Sequence, residues 1–378
     1  TSVISFREFC NHAYLFRNNS LIDLGQLNQD GSFALSINNQ STTVGYAIQL
    51  VEDGDPDTAD PARQRAFVSY DGGAIEAIPF PPETDGLPDG IQGQMTAQHI
   101  SDDNLVIGIA FINVVDPTDD TISVNVRRPY IYDITNDSFQ YVPAFVADDL
   151  DFNGTLRSMN TLGQVVGWGA IELDNNGSSV SALFWDPAAP ELSKPLGTLG
   201  GFSSQAYDIN DSGFIVGLSD TAENFFRNEE LAFVYDNSTD TMTELPEFSQ
   251  VDEFTRSVAY AINNANQIVG SAQISATDGT SAAFLINVGA TALTNLNDMI
   301  ACDSGWNLLI ARDINESGHI IGTGTFEGEV RSFLLVPTAD STPTNCTQPD
   351  SGNGGSSGST GFLFLTSLAL YGLRRRRK

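Results

Sequence analysis

AYDINDSGFIVGLS, residues 206 to 219, occurs in six closely similar copies along the chain. The other copies are ALSINNQSTTVGYA from Ala34, AQHISDDNLVIGIA from Ala97, LRSMNTLGQVVGWG from Leu156, AYAINNANQIVGSA from Ala259 and ARDINESGHIIGTG from Ala311. In each copy an apolar residue is followed eight positions later by a glycine, in the pairs Ile37 and Gly45, Ile100 and Gly108, Met159 and Gly167, Ile209 and Gly217, Ile262 and Gly270, and Ile314 and Gly322. Repetition with a constant internal spacing indicates one structural unit that recurs.

Each copy is predicted to be a β-hairpin. An apolar strand end leads into a cluster of Asn, Asp, Ser and Gly, and a β-branched run such as FIVG follows. The polar residue after the apolar position is expected to hydrogen-bond the backbone of the turn, as Asx residues do. It is an asparagine in five copies and a serine in one: Asn38, Ser101, Asn160, Asn210, Asn263 and Asn315.

Two further strands follow each hairpin. A small residue, usually an aromatic one and an aliphatic one form the third strand, as in Ala66-Phe67-Val68, and a looser apolar stretch such as AIEAIPF from Ala74 forms the fourth. Four short strands in a unit of about fifty residues match the blade of a β-propeller. We therefore predict an all-β fold, with residues 12–337 in one ring of six to seven four-stranded blades and the aromatic stripe in its core.

The composition divides the chain into three parts. Residues 1–337 hold the repeats, 338–360 form a linker rich in Gly, Ser and Thr, and 361–378 combine an apolar run with Arg374, Arg375, Arg376, Arg377 and Lys378. The linker is too polar to form a core. The chain opens on the third and fourth strands of a half blade and lacks an initiator Met, so we expect a truncated or processed protein.

Charge and cysteines narrow the functional classes. The formal net charge of −31 disfavours a nucleic acid partner, because such a surface repels phosphates. Cys302 and Cys346 bracket the last repeat, and we predict a disulfide between them that contributes about 3 to 4 kcal/mol by loop entropy. Cys10 is left over, with a possible partner in an upstream segment. Free thiols throughout are the alternative.

The C-terminal segment has the features of a sorting signal. GFLFLTSLALYGL, residues 361–373, would form a hydrophobic helix about 20 Å long, which is short for a hydrocarbon core of about 30 Å. The order of Gly354-Gly355-Ser356, apolar helix and arginine cluster resembles the GlyGly-CTERM tail of Gram-negative bacteria. That resemblance implies cleavage near Gly354, Gly355 and Ser356 by a rhombosortase-type intramembrane protease, and delivery to the cell surface alongside type II secretion. Transient membrane contact through the helix, with the arginines at its cytoplasmic end, would precede release; a plain anchor is the alternative.

The repeats themselves resemble a second family. LGTLGGFSSQAYDINDSGFIVGLSD from Leu196, followed by LAFVYD, is similar to the HAF-repeat family of bacterial extracellular proteins, whose function is uncharacterised. The histidine of that family is kept only as His12; the other copies have Arg65, Arg128, Ser181, Leu231, Ala282 and Arg331. The resemblance implies an extracellular repeat architecture and no particular reaction.

The sequence marks no catalytic site. His12, His99 and His319 lie in different repeats at different positions, so a nucleophile–histidine arrangement would be a coincidence. The segment DLDFNG offers Asp149, Asp151 and Asn153 at alternate positions before a glycine, as in the first half of a calcium loop. A solvated acidic loop is the simpler interpretation. We expect no cofactor other than a Ca²⁺ ion bound at this candidate site.

Two functional classes follow. The first is a non-catalytic surface or secreted propeller that binds an unknown ligand through one face. The second is a secreted hydrolase, or a calcium-dependent adhesin, with its site in the channel or face loops. Exposed aromatic residues gathered on one face would favour the first class, whereas converging carboxylates or a buried histidine at the channel mouth would favour the hydrolase.

Overall fold

The fold is known from a computed structural model, which describes residues 2–5, 12–18, 20–27, 31–50, 62–81, 94–116, 119–143, 154–172, 178–191, 193–221, 230–248, 256–274, 279–301, 303–337 and 368–372. These residues form an all-β structure with seven antiparallel sheets, six of them four-stranded, arranged as a β-propeller. Apart from strands, they contain one 3-10 turn, Leu296–Met299, and no α-helix. The predicted fold class is confirmed.

The first sheet has three strands: β1 (Ser2–Ser5), β2 (Ala13–Arg17) and β3 (Ser20–Asp23). We number the four-stranded sheets as blades 1 to 6. Blade 1 contains β4 (Ser32–Ile37), β5 (Thr42–Leu50), β6 (Ala62–Tyr70) and β7 (Glu76–Ala77). Blade 2 contains β8 (Met95–Ile100), β9 (Leu105–Asp116), β10 (Asp119–Asp133) and β11 (Ser138–Tyr141). Blade 3 contains β12 (Gly154–Met159), β13 (Val165–Glu172), β14 (Ser178–Trp185) and β15 (Lys194–Pro195).

Blades 4 to 6 follow the same order along the chain. Blade 4 contains β16 (Ser204–Ile209), β17 (Phe214–Asp220), β18 (Glu230–Asp236) and β19 (Thr241–Glu244). Blade 5 contains β20 (Ser257–Ile262), β21 (Gln267–Gln273), β22 (Ser281–Asn287) and β23 (Thr294–Asn295). Blade 6 contains β24 (Trp306–Ile314), β25 (Ile320–Phe326), β26 (Glu329–Pro337) and β27 (Leu368–Gly372). From blade 1 to blade 6, the first strand of each blade contacts the first strand of the next one along the chain, as in the inner strands of a propeller.

Every repeat hairpin forms the first two strands of a blade, as predicted. Each inner strand carries a β-bulge at the same place, two residues before the aligned apolar position. A bulge places an extra residue opposite one partner and bends the strand. The repeat therefore encodes a local bend as well as a turn.

The invariant glycine of the second strand is required by close packing. A Cβ on Gly270 would lie far inside van der Waals contact with the carbonyl oxygen of Val258 and the ring of Phe284, and the other five glycines meet the equivalent inner-strand carbonyl. Phe284 is the aromatic residue of the third strand and pairs directly with Gly270. The glycine and the aromatic residue of the repeat thus fit each other across two strands.

The hydrophobic core lies between neighbouring blades. Five of the six aligned third-strand residues are aromatic, and all six are fully or almost fully buried: Phe67, Tyr130, Leu183, Phe233, Phe284 and Phe333. Phe233, for example, packs in one cluster with Val166 and Phe184 of the preceding blade. The prediction that the aromatic stripe is core is confirmed.

The repeated asparagine joins one blade to the next. The Oδ1 of Asn210 accepts hydrogen bonds from the backbone N–H groups of Ser212 and Phe214, as predicted for a turn. Its Nδ2 also donates to the backbone oxygen of Asn263 in the next blade, at 3.1 Å. Asn38, Asn160 and Asn263 make the same contact with the following blade. This inter-blade bond was not foreseen.

Both ends of the repeat region differ from expectation. The predicted N-terminal half blade has a third strand, because Ser2–Ser5 pairs with Ala13–Arg17. At the other end, the described part of the predicted C-terminal helix, Leu368–Gly372, is a strand that pairs with Glu329–Pro337 and completes blade 6. The edge of Glu329–Pro337 offers unpaired backbone groups that an added strand satisfies. The prediction of a helix is wrong for these five residues.

Candidate functional site: an aromatic and arginine-lined channel

The bulge in each inner strand places two consecutive side chains on the side facing the axis. The residues before and after them, such as Leu156 and Met159, lie in the core between blades. At the first of the two positions the blades carry Leu35, Gln98, Arg157, Tyr207, Tyr260 and Arg312. The lining is therefore asymmetric: blades 1 and 2 contribute uncharged, non-aromatic side chains, and blades 3 to 6 contribute arginines and tyrosines.

Five side chains from blades 3 to 6 form a contiguous group, which we call the channel cluster: Arg157, Trp168, Tyr207, Tyr260 and Arg312. The ring centroids of Trp168 and Tyr207 are 5.5 Å apart, and those of Tyr207 and Tyr260 are 5.6 Å apart. The Arg157 guanidinium carbon lies 5.7 Å from the Trp168 ring and 5.5 Å from the Tyr207 ring. The corresponding distance from Arg312 to Tyr260 is 4.4 Å.

These two arginines differ from most of the other cations that the structure describes. Arg17, Lys194, Arg256 and Arg331 each form an ion pair with a carboxylate. Among the described residues, Arg157 and Arg312 make no hydrogen bond or ion pair, although both are exposed to the channel. Desolvation lowers the pKa of Arg157, and the positive charge of Arg312 contributes to the lowering. The two guanidinium groups are close enough to repel each other.

At the second axis-facing position, Asp208 and His99 bond across blades, whereas Asp313 of blade 6 is exposed and accepts a hydrogen bond from the adjacent N–H of Ile314. The Oδ1 of Asp208 accepts hydrogen bonds from the Ser158 hydroxyl of the preceding blade, at 2.5 Å, and from the backbone N–H of Ile209. Its Oδ2 accepts one from the N–H of Ile262 in the next blade, at 2.8 Å. Desolvation nevertheless raises the pKa of Asp208 to about 7. Asp208 connects three consecutive blades.

His99 occupies the same position in blade 2. Its Nδ1 lies 3.4 Å from the Ser36 hydroxyl oxygen, and the ring also hydrogen-bonds the backbone of Met159. Burial lowers the pKa of His99 to about 4, so the ring is neutral near pH 7. His99 therefore lies between blades 1 and 3 as an uncharged connector.

The turns of the repeat hairpins surround one mouth of the channel with acidic and amide groups. Asp102 accepts a hydrogen bond from the backbone N–H of Asn39 in the preceding blade, and Asp211 does the same for Thr161. Glu316 accepts from the N–H of Asn264. Each acidic side chain therefore caps the turn of its neighbour, and together these groups make this mouth negative.

Several predicted site residues lie outside the described residues. These are Asp149, Asp151 and Asn153 of the candidate calcium loop, Cys302 and Cys346 of the predicted disulfide, Gly354, Gly355 and Ser356 of the cleavage site, and Arg374, Arg375, Arg376 and Arg377. Within the described residues there is no group of three acidic, histidine or cysteine side chains that could hold a metal ion. Nor does the described part of the chain contain a helix long and apolar enough to cross a membrane.

Different residues occupy the position of the HAF histidine in different sheets, and they make different contacts. His12 hydrogen-bonds Asp23 and Gln26 through its two ring nitrogens. Arg65, in the same position of blade 1, is buried with its guanidinium carbon 3.3 Å from the centre of the Phe80 ring. Desolvation lowers the pKa of Arg65 to about 10. This position supports the blade, and it does not contribute to the channel cluster.

Comparison with known proteins gives a family match for part of the chain. A family model described as a protein of unknown function, DUF3466, matches residues 198–334, which lie in blades 4 to 6 and the connection before them. No curated protein matches.

Solved structures show likeness in fold alone. A structure from a study of two prolyl endopeptidases has a TM-score of 0.50 at 9% identity, over 81% of this chain and 41% of that one. The chain thus spans about two fifths of that protein. A protein of unknown function from Dyadobacter fermentans gives a TM-score of 0.40 at 11% identity, over 80% of this chain and 89% of that one. The structure of YjhT has a TM-score of 0.36 at 10% identity, over 80% of this chain and 94% of that one.

Sequence reasoning missed the channel cluster, although a signal was present. The position two residues before the aligned apolar residue varies among Leu, Gln, Arg and Tyr, whereas the aligned apolar residue and the glycine keep their places in all six copies. A position that varies in this way is not required by the common hairpin. In a ring of blades, such a position is available for function.

Proposed function

We propose that this chain is a non-catalytic, ligand-binding β-propeller, exported and then displayed or released at the surface of a Gram-negative cell. The observation that supports binding is the channel cluster, in which three aromatic rings and two arginines from four blades share one wall. Aromatic side chains stack on the flat faces of sugar rings and other cyclic ligands, and a channel mouth is a usual place for such a site. A glycan is the ligand class that this wall fits best.

The axis-facing His99 and Asp208 would be the natural residues of a hydrolase. Their bonding supports a structural role instead. Asp208 receives three hydrogen bonds that join blades 3, 4 and 5, and His99 is held between Ser36 and the Met159 backbone. A general base needs a free lone pair directed at substrate, and Asp208 and His99 use lone pairs in these inter-blade bonds. Asp313, whose charge raises the pKa of Asp208 and which accepts a hydrogen bond from Ile314 in its own strand, is the carboxylate that the hydrolase alternative would use.

Export is supported by the composition of the C-terminal segment. The Gly/Ser linker, the short apolar run and the terminal arginines occur in the order of a processed sorting tail. In the structure part of the apolar run is a strand of blade 6, so we propose that it is helical only while it resides in the membrane, before the blade completes. A helix satisfies its own backbone groups in lipid, whereas an edge strand does not.

The experiment that tests binding is titration of the purified chain with a panel of neutral and acidic oligosaccharides. Heat of binding and tryptophan fluorescence are recorded, and chromatography checks each mixture for cleavage products. We expect binding without turnover, and weaker binding by the Trp168→Ala and Tyr207→Ala variants. Tyr70→Ala is the matched control, because Tyr70 is an exposed aromatic residue outside the channel cluster. Steady release of cleaved sugar would support the hydrolase alternative and contradict the proposal.

A further inference from the structure

We infer that the channel cluster binds the carboxylate of an acidic sugar, with Arg157 and Arg312 holding the anion and the aromatic rings holding the sugar face. The inference rests on the proposed binding function and adds the chemical class of the ligand, a uronic acid residue of an oligosaccharide.

The first argument concerns the state of the two guanidinium groups. Arginine N–H groups in folded proteins are normally directed at carboxylates, carbonyls or water. Arg17 and Arg331 in this chain follow the rule with Asp71 and Glu329. The guanidinium carbons of Arg157 and Arg312 lie 5.7 Å from the Trp168 ring and 4.4 Å from the Tyr260 ring, and neither group makes a hydrogen bond among the described residues. Their N–H edges remain available in the channel.

The second argument is electrostatic. The chain carries a formal net charge of −31, yet two positive groups from blades 3 and 6 lie near each other in the channel. Repulsion between them costs folding free energy, which the nearby Asp208 carboxylate offsets in part, and an anionic ligand between them would reduce that cost further. Two guanidinium groups on one wall can bind a carboxylate by parallel N–H···O bonds, which a neutral ligand cannot form.

The third argument concerns shape. Trp168, Tyr207 and Tyr260 follow each other at centroid distances of 5.5 and 5.6 Å and interplanar angles of 78° and 42°, so the rings line the channel across three blades with edges as well as faces. A sugar ring has an apolar C–H face that such a wall contacts, and a uronate carries its carboxylate at the edge of the ring. Bare inorganic anions would use only the arginines. The wall and the arginines together therefore select an anion attached to a ring.

The test uses trigalacturonate and its methyl ester, which is the same trisaccharide without charge. Calorimetry measures binding of both to the wild-type chain and to Arg157→Gln, Arg312→Gln and Arg157→Lys. We expect the wild type to prefer the acid, and each Gln variant to lose about tenfold or more in affinity for the acid, the usual effect of losing a charged hydrogen-bond donor. Arg157→Lys keeps the charge without the planar fork and should retain part of the affinity.

The control variant is Arg331→Gln, which removes one equally positive and partly exposed side chain that is paired with Glu329 outside the channel cluster. It should bind trigalacturonate as the wild type does. Raising the salt concentration should weaken binding of the acid and leave the ester unchanged. The urea midpoint of each variant verifies that the fold is intact.

Three results would contradict the inference. Equal binding of acid and ester, with no effect of the arginine changes, would indicate a site for neutral glycans. That result would support the proposed ligand-binding function and contradict the preference for an acidic sugar. Equal binding of trigalacturonate and free acetate or sulfate would show that the sugar face contributes nothing. Binding of no saccharide by a folded wild-type chain, or its cleavage, would contradict the proposed function itself.

Discussion

At the scale of single residues, the repeated asparagine does two things at once. Its side-chain oxygen closes the turn of its own hairpin, and its side-chain nitrogen reaches the turn of the next blade. Asparagine is suited to this because its amide has both an acceptor and donors in one short side chain. Aspartate, which has the same shape, keeps only the acceptor.

Asn210→Asp should therefore destabilise the fold by at least about 2 kcal/mol, because a buried charge would then face the carbonyl oxygen of Asn263 and the Oδ1 of Asn266. Urea unfolding measures the change. Asn315→Asp is the matched control. Asn315 holds the same place in blade 6, but it is exposed, and both ends of its side-chain amide contact only groups of its own hairpin. Equal losses in the two variants would argue against the inter-blade bond.

A second prediction concerns the carboxylate of Asp208. Its pKa is raised from 3.8 to about 7 by desolvation, so the folded state binds this proton more tightly than the unfolded chain does. The contribution of Asp208 to the free energy of unfolding must then fall as the pH rises from about 4 to about 7, and it stays low above that range. The nearby carboxylate of Asp313 acts in the same direction.

Asp208→Asn removes the ionisation while keeping the size of the side chain. The variant should lose stability at low pH, because an amide nitrogen cannot accept from the N–H of Ile262. The difference from wild type should then shrink between pH 5 and pH 8. Denaturant unfolding at both pH values measures this. A difference that is constant with pH would mean that Asp208 ionises normally.

At the scale of elements, the blade is held together by a glycine and an aromatic residue on adjacent strands. Gly270 pairs with Phe284, and the inner-strand carbonyl of Val258 lies where a Cβ would be. The same arrangement in six hairpins explains why the spacing from the apolar residue to the glycine never changes. A shift by one residue would bring a side chain against the carbonyl.

Gly270→Ala should cost about 3 kcal/mol or more, because the clash is with backbone that cannot move without opening the blade. The control is Gly289→Ala, where φ is +81° but a Cβ meets nothing within 4 Å, so only the left-handed strain of about 1 to 2 kcal/mol applies. Thermal and urea unfolding compare the two. Rescue of Gly270→Ala by Phe284→Leu would show that the ring, and not the carbonyl, causes the loss.

The last strand of blade 6 offers a separate test. Ala369 pairs with Val336. Ala369→Pro removes a backbone N–H and fits poorly in a strand. We expect faster amide exchange along Glu329–Pro337 in this variant, and no change in blades 1 to 5. Unchanged exchange in Glu329–Pro337 would mean that its outer edge is unprotected in solution.

At the scale of the whole molecule, the folded ring and the proposed sorting tail make competing demands on the same residues. Leu368–Gly372 completes blade 6 in the structure, yet these residues belong to the segment that the tail hypothesis places in the membrane. Removal of the tail after sorting would leave Glu329–Pro337 as an edge strand. The mature protein would then have a three-stranded blade at each end of its repeat region.

Intact-mass analysis of protein released from the cell surface is expected to give a C-terminus near residues 354–357. Replacement of Gly354 and Gly355 by bulky residues should leave the precursor in the inner membrane, because an intramembrane protease must unwind its substrate at small residues. Surface protein that still ends at Lys378 would support a plain anchor. Peptide mapping without reductant of the same sample checks whether Cys302 and Cys346 are bonded.

By itself the sequence determined the class of fold, the hairpin, the buried aromatic stripe and the turn role of Asn210. These depend on local chemistry repeated six times, and local preference is readable when every copy agrees. Only the tertiary structure revealed the bond from Asn210 to Asn263, the strand at Leu368–Gly372 and the channel cluster. Arg157, Tyr207, Tyr260 and Arg312 are separated by 50 or more residues and meet because successive inner strands surround one axis. No local pattern specifies which side chains face each other across a ring, because that depends on how the blades pack.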